Sequence, residues 1–505
     1  MKVDQIKTGA ILSYISIIIS NAIALMYIPV MLRYMGQAEY GLYSLVISVI
    51  GYLTILDLGF GNAIVVYTSK YRVLGKKDEE KKLHSMFFII YTVIGFATGL
   101  IGLLLYINVN NMFGSTMSLV ELEKARTLML ILTLNLSFTF PLSIFSSIIT
   151  AYEKFIFVKL VNIIRIVLNP LIMIPLLMMG YKSIAMAIVT TILNLIILSI
   201  NAIYCYKKLN IKLSFAKIDF KLLKEIFAYS FFIFLGVIVD KINWSVDQFI
   251  LGATSGTVVV AVYAIASQIN IIYMSFATAI SGVLLPKISK MIANNSSDNE
   301  ISNEFIKIGR IQFLIIGLIL SGFIIFGRDF INLWAGSEYD IAYYIVLILI
   351  VPLTVPIIQS LGLNILQAKN KIKFRAIIYI FIAILNVIIS IPLSKLYGGI
   401  GAALGTSICI TLGTIIIMNI YYYKKINIDI PRFWKEIFKI TIPILIIFIP
   451  VFYLNSIIAL PIIYKLLIGI PIYSSLYGLI TYRFAMNDYE KIIIISPINK
   501  IFKRK

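Results

Sequence analysis

Short polar stretches cut the chain into fourteen apolar segments, each 18 to 28 residues long. About 20 helical residues at ~1.5 Å each cross the hydrocarbon of a bilayer. The segments are 9–31, 41–66, 84–107, 125–149, 157–179, 184–205, 225–251, 258–285, 308–327, 341–366, 376–393, 400–422, 437–454 and 460–480. Inside lipid every backbone donor and acceptor must be satisfied by the segment itself or by a closed barrel. Barrel strands alternate over roughly ten residues, whereas these runs are continuously apolar and rich in isoleucine. The expectation is an all-α integral membrane protein with about 14 transmembrane helices.

Placement of the basic residues orients them. The chain carries 44 Lys and Arg against 23 Asp and Glu, a formal net charge of +21. With the N-terminus inside, inner segments hold 35 of the 44 and outer loops seven, while Arg165 and Lys241 fall within spans. That is a positive-inside signature. It puts both termini in the cytoplasm and removes nucleic acid as a partner. Only 13% of residues are charged, about half the share in a soluble protein. The two cysteines, Cys205 and Cys409, lie in apolar runs and form no disulfide framework. Lys2, Lys7 and Ala22-Ile23-Ala24 resemble a signal peptide, but the apolar run continues through Met31, so it reads as a retained first span.

An internal repeat sets the architecture. Lys154, Phe157, Leu168, Asn169, Ile174 and Pro175 recur 217 residues later as Lys371, Phe374, Leu385, Asn386, Ile391 and Pro392. After one deletion, Ile184, Ala187, Thr190 and Ile192 recur as Ile400, Ala403, Thr406 and Ile408. Both copies start on the same side, so they are parallel repeats about an axis along the membrane normal. The expected domains are an N-lobe over 1–205, a basic linker over 206–224, a C-lobe over 225–422, and a hairpin of spans 13 and 14 with a basic tail over 423–505. The two lobes have six helices each. The longest polar stretch, 286–307, reads as a short helix and loop, too short for a catalytic domain.

Charged and polar groups inside spans are costly and mark a pathway by default. Span 7 holds most of them: Asp240, Asn243, Trp244 and Asp247 share one helical arc, with Lys241, Ser245 and Gln248 on the next. An internal Asp240–Lys241 charge pair is the structural alternative. Arg165 lies about eight residues, or ~12 Å, into span 5, and must face the protein interior. It suits an anionic headgroup, because guanidinium pairs well with phosphate oxygens; snorkelling or a pair with Asp57 or Asp240 would explain it otherwise. Asp57, before Leu58-Gly59-Phe60-Gly61, suits either cation or proton coupling or a helix end. Arg33 reaches a cavity or outer-leaflet phosphates, and Gln268 with Tyr263, Asn270 and Tyr273 suits a sugar path. Lys70, Arg72, Lys287, Lys290, Arg310 and Arg375 rim the inner side, which the charge bias already explains. His84, the one histidine, has no metal-ligating cluster beside it. No phosphate-cradling glycine loop, nucleophile elbow or zinc motif occurs, so the chain reads as neither an ATPase nor an enzyme, with no cofactor beyond a possible coupling Na⁺ or H⁺.

Arg33-Tyr34-Met35-Gly36, Glu39-Tyr40-Gly41 and Asp57-Leu58-Gly59 resemble the opening of bacterial polysaccharide-unit flippases of the Wzx type. Their superfamily includes multidrug exporters and the lipid II flippase. The resemblance extends to the whole plan of duplicated lobes and a final hairpin. It implies movement of an undecaprenyl-diphosphate-type glycolipid carrying an O-antigen, capsule or exopolysaccharide unit between leaflets of the bacterial inner membrane. It also implies membrane lipids and polysaccharide-assembly proteins, a polymerase among them, as partners. One departure is that Asp240 and Asp247 accompany the single Lys241, a less cationic span than a diphosphate suggests. Two other classes fit in part: a cation-coupled drug exporter, which would use acidic residues such as Asp57, Asp240 and Asp247, and a membrane glycosyltransferase or polymerase. The outer loop near 108–124 is short for a catalytic loop.

Overall fold

A computed structural model of the chain describes residues 4–214, 220–281, 285–458 and 460–492. Seventeen α-helices follow one another, and no strand occurs among the described residues. They are α1 (Gln5–Met35), α2 (Gln37–Tyr52), α3 (Phe60–Val73), α4 (Lys77–Phe113), α5 (Leu119–Ala151), α6 (Phe155–Met178), α7 (Ser183–Lys208) and α8 (Phe220–Thr254). The remainder are α9 (Thr257–Ser281), α10 (Leu285–Ala293), α11 (Asp298–Trp334), α12 (Ile341–Ile358), α13 (Leu361–Ala368), α14 (Ile372–Ile410), α15 (Met418–Ile426), α16 (Ile430–Ile457) and α17 (Ile462–Ile480). Twelve candidate spans, by length and composition, occur among the described residues. One of them, Ile372–Ile426, is 55 residues long and broken at Gly398 (φ 55°, ψ −132°). The charged α8 is not among the twelve. Chain 286–307 resolves into α10 and a turn before α11, which opens on a capping box between Ser297 and Glu300.

Span 2 is not continuous. α2 ends at Tyr52, a 3₁₀ turn covers Leu53–Asp57, and α3 starts at Phe60. Between them Leu58 (φ 53°) and Gly59 (φ 74°) are both left-handed, a conformation that costs leucine free energy and glycine very little. Asp57 meets that break: its carboxylate accepts the Tyr91 hydroxyl at 2.6 Å and faces the backbone N–H groups of Gly59 and Gly61. An anion at the start of α3 also matches the positive end of that helix.

The chain separates into two compact units, Met1–Ala264 with Val387–Ala402, and Ile265–Asn386 with Ala403–Lys505. In the first, Phe60, Phe87, Tyr91, Phe140 and Phe145 form a core between α3, α4 and α5. In the second, α11, α16 and α17 enclose Leu314, Phe326, Ile440, Ile444, Tyr473 and Tyr477. There the Tyr473 hydroxyl donates to Ser321 Oγ at 2.6 Å and the Tyr477 hydroxyl to the Leu314 carbonyl at 2.9 Å, so neither phenol is buried without a partner.

The repeat read from the sequence has matching contacts inside each copy. Asn169 Nδ2 donates to Thr190 Oγ1 at 3.2 Å, and Thr406 Oγ1 to Asn386 Oδ1 at 3.3 Å. Phe157 stacks on Tyr204 with ring centroids 3.9 Å apart, and Phe374 on Tyr421 at 4.0 Å.

Candidate functional site

Three helices of the first unit build a cavity lined mostly by apolar side chains, among them Ile47, Ile50, Leu132 and Leu193, with one cluster of polar groups. α6 brings Arg165 and Asn169, α5 brings Asn135 and Thr139, and α7 brings Thr190 and Asn194; Gly51 and Thr54, at the end of α2 and just beyond, complete it. Its volume is about 440 Å³, within the range of small-molecule sites. Arg165 is half-buried. Its guanidinium donates to Asn162 Oδ1 at 2.9 Å and to Asn194 Oδ1 at 3.4 Å. Asn194 Nδ2 in turn donates to Asn135 Oδ1 and Thr139 Oγ1, both at 2.8 Å. Amides therefore position the guanidinium without neutralising it. Among the described residues no carboxylate lies within ion-pair distance of Arg165. Chemically the site is a fixed cation with a few hydroxyl and amide groups in an otherwise apolar pocket, suited to an anionic group with apolar surface beside it.

Lys241 of α8 adds a second cation at the edge. A methyl built on Gly51, which lines the cavity, would lie 3.7 Å from its Nζ. α8 is held against α2 there by Ser48 Oγ, which donates to the Ser245 carbonyl at 2.8 Å. Asp247, two residues beyond Ser245, is buried and accepts the Tyr263 hydroxyl, with Tyr52 within its electrostatic reach. Asp57 does not line the cavity but sits three residues beyond Thr54, at the break described above. Arg33 is exposed in the last turn of α1, and Gln268 is half-buried in the part of α9 that belongs to the second unit. The side chains of Asp240, Asn243 and Trp244 lie outside the described residues.

Sequence reasoning singled out Arg165 but not its amide setting. Asn135, Asn162 and Asn194 were absent from the candidates, and Asn169 and Thr190 counted only as repeat markers. The available signal was amides within three apolar runs, Asn162 being three residues from Arg165 on the same helix face.

The helical spans define a multi-pass membrane protein. The chain belongs to the polysaccharide biosynthesis protein family, whose model matches residues 6–292. A Shigella flexneri protein named "Putative O-antigen transporter" is 22% identical over 413 residues, spanning 80% of this chain and 94% of that one. A Haloferax volcanii protein named "Probable low-salt glycan biosynthesis flippase Agl15" is 26% identical over 212 residues, or 41% of this chain and 43% of its own. The structure of the lipid II flippase MurJ in an inward closed conformation superposes with a TM-score of 0.73 at 21% identity, covering 96% of this chain and 99% of that one. An inward-facing multidrug transporter of the MATE family in the MOP superfamily gives 0.65 at 14% identity, covering 83% and 99%. At these identities the two structures establish the fold, and with the family match they bear out the resemblance read from Arg33-Tyr34-Met35-Gly36 and Asp57-Leu58-Gly59.

Proposed function

We propose that the chain is a flippase that moves a polyprenyl-diphosphate-linked oligosaccharide from the inner to the outer leaflet of the bacterial cell membrane by alternating access. The observation that carries this reading is Arg165, a cation inside a span held by Asn162 and Asn194 at the wall of a largely apolar cavity of about 440 Å³. A diphosphate suits the guanidinium fork, sugar hydroxyls suit Asn135, Thr139 and Asn194, and the prenyl chain stays in lipid. In this proposal the fourteen spans form the lobes 1–205 and 225–422 with the hairpin 423–505, both termini are cytoplasmic, and polysaccharide-assembly proteins act on either side. Lys241 and Arg33 are further cationic candidates for the substrate, and Asn243, Trp244 and Gln268 are further polar candidates, each on the grounds given by the sequence. Asp247, and with it Asp57 and Asp240, supplies coupling to Na⁺ or H⁺ if the cycle is driven. The relatives' printed names support a glycan-lipid cargo over the drug cargo of the structurally similar multidrug transporter.

The test is export of lipid-linked glycan in cells carrying Arg165→Ala at normal membrane abundance. A fall of roughly ten-fold or more is expected, as for a lost charge-assisted hydrogen bond. Arg165→Lys should restore part of it, since a point charge remains without the planar fork. Unchanged export by the alanine variant would reduce Arg165 to a structural residue.

A further inference from the structure

A second cavity, of about 660 Å³, opens elsewhere in the first unit, on the side that the proposed orientation puts in the cytoplasm. The end of α3, the start of α4, the end of α5 and the segment after α7 surround it. Its floor is bonded and holds the buried Glu80, His84 and Thr68, while Arg72, Lys77 and Lys212 stand exposed at its rim. Tyr152 donates its hydroxyl to Glu80 Oε1 at 2.7 Å, and His84, buried, shares a 3.1 Å hydrogen bond with Thr68. Arg72 donates to the Ala151 carbonyl at 2.6 Å, and its guanidinium lies 3.9 Å from the centre of the Tyr152 ring. The segment after α7 is pinned by Ile211 N–H to the Cys205 carbonyl at 3.1 Å and by Ser214 N–H to Ser85 Oγ at 2.6 Å.

Four cations line this frame: Arg72, Lys77, Lys81 and Lys212. Lys81 pairs with Asp78 at 2.9 Å. Of the two lining carboxylates, Glu80 already accepts Tyr152, leaving Glu153 at the side. Burial, followed by the hydrogen bond to Glu80, holds the Tyr152 hydroxyl well above the usual phenol range, so it stays a donor to that carboxylate. Charge bias across a membrane explains why lysines occur on this side, but not why they converge on a concave, hydrogen-bonded frame. We propose that this cavity is a phosphate-binding site separate from the Arg165 cavity, in which Lys77, Lys212 and the free edge of the Arg72 fork take a phosphate group. Guanidinium and ammonium donors together match phosphate oxygens. The group comes either from an anionic phospholipid headgroup of the facing leaflet or from a soluble phosphate compound. The transport reading can fail without affecting this site, because the binding test requires no flipping.

The experiment measures saturable binding of fluorescent phosphatidylglycerol, of phosphatidylcholine and of inorganic pyrophosphate to the full chain in detergent, where both faces are open. Lys77→Gln with Lys212→Gln is compared with Lys76→Gln plus Lys82→Gln, which removes the same charge from the same region outside the cavity. Expected is binding of phosphatidylglycerol over phosphatidylcholine that weakens about five-fold for each cavity lysine lost and holds in the control pair. Displacement by pyrophosphate assigns the site to phosphate from either source; lipid binding without displacement assigns it to the headgroup. Saturable binding of pyrophosphate alone, lost in the cavity pair, assigns it to a soluble ligand. Equal loss in both pairs, or no saturable binding of either anion to the unmodified chain, overturns the proposal.

Discussion

At the residue scale, two arginines in apolar surroundings have opposite fates. Arg165 is held by amides and keeps its charge available. Arg310 does not: Glu490 receives Nε at 2.7 Å and Nη2 at 2.9 Å, Glu436 receives Nη1 at 2.9 Å, and the Ala485 carbonyl takes a further bond from Nη2 at 2.7 Å. Arg310 is 4% exposed and Glu490 2%. The sequence alone placed Arg310 on a cationic rim; its role is to clamp the end of the C-terminal hairpin onto α11. Arg310→Ala should therefore destabilise the solubilised protein by ~3–5 kcal/mol, because it strands a buried carboxylate. Arg310→Met with Glu490→Gln should recover much of that loss, and the midpoint of thermal unfolding measures both. A loss confined to transport, with unfolding unchanged, would contradict the clamp. The difference between the two arginines was not legible in the sequence, since the partners of Arg310 lie 126 and 180 residues away. Those of Arg165 include Asn162 on its own helix, which was in reach of a helical wheel.

At the element scale, the long apolar runs were legible because lipid leaves the backbone few choices, and the repeat because Asn, Pro and Lys rarely coincide by chance among Ile and Leu. The break in span 2 was legible only as a glycine-rich stretch. The chain turns left-handed already at Leu58, beside Asp57, whose carboxylate accepts the Tyr91 hydroxyl from 34 residues away. Close approach between helices was not legible either. α2 passes so near the start of α9 that a methyl at Gly41 would sit 1.9 Å from the Thr257 carbonyl oxygen. The same turn is held from α5, where Glu121 caps its own helix through Ser118 and accepts Thr257 Oγ1 at 2.7 Å, while Thr116 Oγ1 donates to the Gly252 carbonyl at 2.7 Å. A backbone atom cannot yield as a side-chain end can. Gly41→Ala should then cost ~3 kcal/mol, at the upper end for overpacking, read as a lower unfolding midpoint. Gly478→Ala, where a methyl meets nothing within 4 Å, should leave the midpoint nearly unchanged.

At the scale of the whole molecule, orientation rests on charge alone, because an arrangement of helices is equally self-consistent with either face inward. With fourteen spans and the N-terminus inside, thirty-five basic residues would lie on one side against seven on the other, a strong bias at ~1 kcal/mol of attraction to the anionic inner leaflet for each charge near it. The bias counts most in short loops, and most loops here are short. Single cysteines at Lys76, and at Lys217 and Lys505, which lie outside the described residues, should thus resist a membrane-impermeant thiol reagent in intact cells and react once the membrane is opened. A cysteine at Lys182, in an outer loop, should react in both conditions. Cys205 and Cys409 are buried, so the native background should be low, and replacing both with alanine removes it. Lys76 is the most informative position, since it sits in the turn between α3 and α4 beside the second cavity. Labelling there from outside would reverse the chain in the membrane. The diphosphate would then have to enter from the opposite face, and directional export toward the outer leaflet would no longer follow from this geometry.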